Sequence, residues 1–299
     1  MTSDQRQQIE QIRNEHERRL HQLELRAAQL GLSTPPEIHT EMDDIRAAIE
    51  RLNMQLDALL PPGAIHVDLV TFPGHTAQPP DHLVLDWVAE FTPGFPSAAT
   101  WASTLMPDLG RALATCGAQQ SRLIALHPKA RISAGIAFGY TFRETAGYQI
   151  WIEQKPNEWW RTSARPSDET PLNVQHLECD ARLPDTTIEI GLPQDVHNEV
   201  AEYIAAQQLP IGMRVQCWLP ATSDTNVRDE AHAVAIARQL RREIVAARRR
   251  SKRQTIHIFA AVPIGLAVLI GTQLNTCEPV QCYEYDRAQH VYVPAALLR

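Results

Sequence analysis

The chain has 299 residues, an apolar fraction of 44% and a formal net charge of -7. That length suits two ordinary domains, or one large domain with an appendage, and the apolar content is enough for a buried core. The acidic balance excludes broad non-specific binding of duplex nucleic acid, which needs many phosphate contacts, but leaves room for a local pocket that takes a small anion.

Residues 1–60 read as helical. Apolar residues recur at Ile9, Ile12, Leu20, Leu23, Ala27 and Leu30, and again at Ile38, Met42, Ile45, Ile49, Leu52, Leu56 and Leu59. Both runs step by three and four, the spacing of packed helices. Gly31 suits a helix C-cap, Ser33 or Thr34 the next N-cap, and Pro35 and Pro36 a first turn, so an antiparallel hairpin follows. Its narrow seam buries little core, which leaves two expectations: a hairpin packed on itself, or one that also meets another subunit or protein. Pro61-Pro62-Gly63 ends the hairpin, and residues 61–80, loose from Thr76 to Pro80, read as a linker.

From residue 81 onward strands and helices alternate. Strands are expected over Leu83 to Phe91, Arg122 to His127 and Tyr148 to Gln154, with helices over Ala98 to Cys116 and Ile132 to Thr141. After a polar, Pro-containing stretch at 163–173 the order repeats. Strands follow at Thr186 to Gly191, Arg214 to Leu219, Thr255 to Ala260 and Val280 to Asp286, and helices at Val196 to Gln207, Glu230 to Arg253 and Ile264 to Leu274. Such alternation predicts an α/β fold with mostly parallel sheets. The repeat is visible in the letters: Leu123-Ile-Ala-Leu-His127, a turn, Ala134-Gly-Ile-Ala-Phe-Gly139 and Tyr148 to Glu153 match Ile256-His-Ile-Phe-Ala260, a turn, Gly265 to Gly271 and Val280 to Tyr285. Two such units predict a pseudo-two-fold pair of Rossmann-like halves sharing a cleft at the strand C-termini.

The five Cys are scattered without a CxxC pair, which argues against a disulfide framework and for a reducing, cytoplasmic setting. The polar opening residues read as no secretory signal, and the longest apolar run, Ile256 to Ile270, is short for a membrane span and holds His257, Pro263 and Gly265, so no membrane partner is expected. No HExxH, GxSxG or P-loop occurs, and the twelve His do not pair with a Cys at metal-ligand spacing, so neither a catalytic set nor a metal site is expected. The Arg238 to Arg253 segment carries eight cations and one acid, spread over several helix faces as on a solvated outer surface.

The segment Ile256 to Gly271, followed by Pro279-Val-Gln-Cys-Tyr-Glu-Tyr-Asp286 and Tyr292-Val-Pro294, resembles the C-terminal signature of SAVED domains. Asp81-His-Leu-Val-Leu-Asp-Trp87, Leu126-His-Pro-Lys129, Ser133 and Ala137-Phe-Gly139 resemble the first half of the same domain, so the resemblance covers about residues 81–299, divided near residue 170. It implies two fused CARF-like (Rossmann-like) halves that sense a cyclic oligonucleotide, chiefly cyclic tri- or tetra-adenylate or a related cyclic trinucleotide, in antiphage defence of the CBASS or type III CRISPR kind. It also implies assembly of a homo-oligomer or filament on ligand binding and control of an effector. No effector domain is recognised in this chain, so the effector is expected in trans, with residues 1–60 as its docking segment and no catalysis by the chain itself. Degradation of the messenger, as by a ring nuclease, is the alternative, and a scaffold with a decayed pocket is a third.

A closed ring of nucleotides needs helix N-termini, a few cations and flat faces for stacking. The turn Val262-Pro263-Ile264-Gly265 aims a helix N-terminus at the expected cleft, with Gly265 allowing close approach. The equivalent turn after His127 offers Lys129, Arg131 and the Ser133 hydroxyl. The exits Phe91-Thr92-Pro93 and Leu192-Pro193 flank them, and Trp159 is a candidate for base stacking. Each has a plainer reading: Lys129 and Arg131 as solvated loop charges, Ser133 as an N-cap, Pro263 and Gly265 as turn chemistry, Trp159 as cover for a domain edge, and His257 as a core histidine.

Overall fold

The structure, a computed structural model, describes residues 3–31, 35–57, 63–74, 81–155, 158–167, 171–192, 194–220, 227–250 and 255–299. The expected cap at Ser33 or Thr34, the linker residues Pro61-Pro62 and Thr76 to Pro80, Pro193, and the end of the Glu230 to Arg253 helix lie outside the described residues.

Helices α1 (Ser3–Leu30) and α2 (Pro36–Asp57) form a unit of their own. The short connection between them makes the pair antiparallel. Leu20, Leu23 and Ala27 meet Ile38, Met42, Ile45 and Ile49, the three-and-four stripe of the sequence. Arg19–Glu41 and Arg46–Glu24 pairs bridge the two helices at 2.8 and 3.1 Å, which at this exposure adds little stability. Ile12 and Leu30 stay exposed, so the buried seam is shorter than the pattern in α1 implies.

The α/β body holds two sheets. The first has the order β2-β1-β3-β4-β5, from β1 (Ile65–Val70), β2 (Leu83–Asp86), β3 (Leu123–Lys129), β4 (Gln149–Lys155) and β5 (Glu158–Arg161). The second has the order β11-β10-β9-β7-β8-β6, from β6 (Asn173–Glu178), β7 (Asp185–Gly191), β8 (Ile211–Trp218), β9 (Ile256–Ala261), β10 (Val280–Asp286) and β11 (Val291–Leu298). The pairs β1–β2, β1–β3, β3–β4, β7–β8, β7–β9 and β9–β10 are parallel, and the edge strands β6 and β11 pair antiparallel. The two orders superpose if β7, β8, β9, β10 and β11 answer to β1 through β5, with β6 added at one edge.

Several expectations need correction. The stretch 61–80 is not wholly linker: Ile65–Val70 is the strand between β2 and β3. Its apolar residues Ile65, Val67 and Leu69 face the core, but intervening His66 and Asp68 broke the apolar run. The expected strand to Phe91 stops at Asp86 and turns at Trp87. Polar β6 and Pro-containing β11 were not expected as strands. Both lie at sheet edges, where one solvated face and a missing N–H are tolerated.

Between the sheets run α5 (Ile132–Thr141) and α8 (Ile264–Gln273), both buried almost throughout. A helical stretch precedes α5, made of α3 (Ala98–Thr100), one π turn (Trp101–Leu105) and α4 (Met106–Ala118). In the second half α6 (His197–Gln207) and α7 (Glu230–Arg250) flank β8 in the chain. Helices α5 and α8 cross at Gly139 and Gly271. A Cβ on Gly139 would strike Val268 O, and one on Gly271 would strike Ile136 O. Only glycine allows backbones to come so close, and it does so here at equivalent positions of the two halves.

Candidate functional site

Equivalent turns leave β3 and β9. Val70 is in register with Lys129, and Gly191 with Ala261. One further bond follows each pair: Thr71 N–H donates to Lys129 O at 3.0 Å, and Leu192 N–H donates to Ala261 O at 2.8 Å. Two residues later each helix begins, with Arg131 and Pro263 as N-caps in the same extended conformation. Arg131 N–H is held by Thr71 Oγ1 at 2.8 Å; Pro263 has no N–H to satisfy.

The two helix starts are capped reciprocally. Ser133 N–H donates to Glu284 Oε1 of β10 at 2.6 Å, and Gly265 N–H donates to Gln154 Oε1 of β4 at 2.7 Å. The strand registers make Gln154 and Glu284 equivalent, so each half supplies a side chain to the helix N-terminus of the other. Burial raises the Glu284 pKa, while the hydrogen bonds from Ser133 and the charge of Arg131 oppose that shift. Gly265 therefore has a different reason from the one expected. A Cβ there would strike Gln154 Oε1 and lie 2.8 Å from Trp160 Cε3, so the space beside it is filled by the protein's own groups.

Around these starts the structure gathers part of the expected set. Lys129 is exposed at the end of β3. The Arg131 guanidinium lies 4.7 Å from the Phe72 ring centre and 5.0 Å from that of Phe95, a cation held over aromatic faces. Ser133 is buried, and Val262, Pro263 and Ile264 are half-buried on the facing turn. Ile264 Cδ1 lies beside Gly135, which brings the two helix starts next to each other. Leu192 is buried at the end of β7. Phe91 packs into the core, edge-on to Trp101, with Thr92 and Pro93 exposed beyond it. Thr71, Phe72, Phe95, Gln154 and Glu284 were not singled out from the sequence. The first two follow a strand that was missed, and the caps come from strands far away in the chain.

A cavity of ≈ 390 Å³ opens beside Gly191, lined by Asp195, His197, Gln216 and Trp218. His197 of its lining joins a buried network: Arg214 donates to both oxygens of Glu189 at 2.6 and 2.8 Å, Thr187 Oγ1 donates at 2.7 Å, and His197 Nδ1 lies at 3.2 Å. Burial alone would raise the Glu189 pKa, but the bonds from His197, Arg214 and Thr187 outweigh it and hold the carboxyl below its ordinary value.

His127 and Trp159 do not join the turns. Ile124 and Leu126 of β3 face the core, so His127 projects from the opposite face of the sheet. There it meets His66 of β1 and His82, with ring centroids 4.7 to 5.4 Å apart. His82 Nδ1–H donates to Asp68 Oδ2 at 2.7 Å, and His127 Nδ1–H donates to Glu153 Oε2 at 2.8 Å. Trp159 lies edge-on to His127 at 5.3 Å and is buried. Burial, and then the neighbouring His127 and His82, lower the His66 pKa. His257 is the buried histidine of the plainer reading, bonded to Tyr283 Oη at 2.8 Å and Asp185 Oδ2 at 3.2 Å.

Among the described residues no helix is long and apolar enough to cross a membrane. No curated protein matches the chain. Solved structures do. The Acinetobacter baumannii Cap4 SAVED/CARF-domain containing receptor with the cyclic trinucleotide 3'3'3'-cAAA aligns with TM-score 0.67 and 17% identity over 86% of this chain and 56% of that one. The same receptor with 2'3'3'-cAAA aligns equally well. The Moraxella osloensis Cap4 SAVED/CARF-domain containing receptor aligns with TM-score 0.59 and 17% identity, over 88% of this chain and 60% of that one. The chain thus spans under two thirds of the length of these receptors, and the likeness establishes a shared fold. The model of the SMODS-associated and fused to various effectors sensor domain matches residues 108–298. The chain belongs to the SAVED family.

Proposed function

We propose that residues 81–299, together with β1, bind a cyclic oligonucleotide at the paired exits of β3 and β9. The observation that carries this reading is the pseudo-symmetric pair of helix starts, brought together by the α5–α8 crossing and rimmed by Lys129 and by Arg131 over Phe72 and Phe95. Cations and aromatic faces are what phosphates and bases require. Because Ser133 and Gly265 already donate within the chain, the phosphates are met mainly by Lys129, Arg131 and the neighbouring loop backbone. The Cap4 receptors solved with cyclic trinucleotides favour a cyclic tri-adenylate; the cavity beside Trp218 offers room for one flat group of such a ligand.

In this reading the chain is a sensor and not an enzyme. Ligand binding favours an assembled homo-oligomer, and the helical pair of residues 1–60 docks an effector supplied in trans. Incubation with cyclic tri- and tetra-adenylate, followed by light scattering and chromatography of the nucleotide, tests it. Intact ligand and a rise in mass support the sensor. Linear products establish the ring-nuclease alternative, and an absence of binding leaves only a scaffold.

A further inference from the structure

The two halves hold a buried carboxylate at equivalent positions, and they satisfy it differently. Asp68 answers to Glu189, because Val70 and Gly191 occupy the same place relative to Lys129 and Ala261. Asp68 is in register with Val84 and Glu189 with Gln216, so the residues two positions earlier, His82 and Arg214, also correspond. Glu189 is neutralised by the fixed positive charge of Arg214. Asp68, equally inaccessible, has the imidazole of His82 and leaves Oδ1 buried without a hydrogen-bond partner among the described residues. A buried carboxylate calls for a compensating charge, and the first half has no arginine at the position of Arg214 to supply a fixed one.

The first half also gathers two further imidazoles that the second half lacks. Thr187 and Phe259 stand where the first half has His66 and His127. One ring nitrogen of each of His66, His82 and His127 lies within 4.8 Å of one from each of the others, and His66 Nδ1 and His127 Nε2 are 3.0 Å apart. The Nδ1 atoms of His82 and His127 are occupied by Asp68 and Glu153, which leaves the lone pairs of their Nε2 atoms to face a metal. An imidazole whose far N–H is held by a carboxylate is the usual setting of a metal-bound histidine. The three rings are half-buried. In the second half, by contrast, Val200 and Tyr203 of α6 cover the equivalent face, packed with Phe259 and Tyr283; among the described residues no helix stands between β1 and β2.

We propose that His66, His82 and His127 bind a divalent transition metal of the zinc class. Three neutral imidazoles suit zinc, cobalt or nickel better than calcium or magnesium, and a three-histidine set leaves a fourth position to solvent. The metal supplies the charge that Arg214 supplies in the other half, and ties β1, β3 and the approach to β2 together. The rings come from β1, β3 and the approach to β2, and the metal is tested without the ligand proposed for the strand exits.

The test uses the full chain, stripped by dialysis against a chelator and titrated with zinc chloride in competition with a chromophoric chelator, then with cobalt chloride by visible absorption. One zinc per chain and a cobalt spectrum of low-coordinate type are expected. His82→Arg, which gives the first half the cation of the second, should abolish stoichiometric binding while the far-ultraviolet circular dichroism stays unchanged. Glu153→Ala should weaken binding by about 10–100-fold, and His176→Ala, at an exposed position on β6, should leave it intact. Wild-type chain that takes up no zinc, or zinc binding that survives His82→Arg unaltered, overturns the proposal. If His82→Arg does not fold, His127→Ala on a folded background decides the same question in the same way.

Discussion

The crossing of α5 and α8 sets the geometry of everything around it, and substitution at its centre measures how tightly it is built. Alanine at Gly139 or Gly271 would place a methyl group against a carbonyl of the facing helix, with a backbone nitrogen 3.0 or 2.9 Å away on the same side. Neither atom can rotate aside, so the helices must separate. Overpacking typically costs about 1–3 kcal/mol, and collision with backbone belongs at the upper end. Against this, alanine gains about 1 kcal/mol of helix propensity over glycine. The net loss is about 2 kcal/mol, or a fall in Tm of about 4–8 °C at this chain length. Gly110→Ala in α4 is the control. A Cβ there meets nothing within 4 Å, so propensity alone acts and Tm should rise. Scanning calorimetry on the three variants gives the comparison. If Gly139→Ala or Gly271→Ala is as stable as Gly110→Ala, the two helices do not cross in backbone contact.

Other consequences follow from the buried charges and the division into units. Glu284 has a raised pKa in the folded state, so the folded chain holds that proton longer, and stability falls as pH rises from the ordinary carboxylate value through the raised one. Glu284→Gln, which copies Gln154 in the equivalent cap, should raise Tm above that window and match wild type below it; a constant difference across pH would sink the assignment. Glu189 has the opposite sign: its folded pKa is depressed, so its contribution is present above the ordinary carboxylate value and is lost as pH falls through the depressed one. Arg214→Met removes the fixed countercharge of that buried carboxylate and should cost about 3–5 kcal/mol in urea unfolding near neutral pH. Removal of residues 1–63, which hold the helical pair, should leave affinity for cyclic tri-adenylate unchanged in calorimetric titration; loss of binding would place the helical pair in the ligand site.

The duplication was legible because the third strand, the glycine-bearing helix and the fourth strand of each half repeat the same small and apolar residues. Ile132 to Thr141 and Val280 to Asp286 form the helix and strand read from their letters. The first strand was not legible. In Ile65-His-Val-Asp-Leu-Val70 the polar residues alternate with apolar ones and resemble linker, although they form the second face of a strand. That miss hid His66 and Asp68, and with them the histidine cluster, since the pairing of β1 with β3 alone brings His66 to His127. The reciprocal caps could not be read either. Nothing local to Ser133 points to Glu284, and only the crossing of the helices places them together.

Calorimetric titration with cyclic tri-adenylate tests most directly whether the paired exits of β3 and β9 bind a ring of nucleotides. Wild-type chain should bind, and Lys129→Glu, which reverses an exposed charge at the rim without touching the core, should bind at least about tenfold more weakly, a difference of about 1.4 kcal/mol. Equal affinity in the two proteins would remove Lys129 from the site, and no heat of binding with wild type would contradict the account.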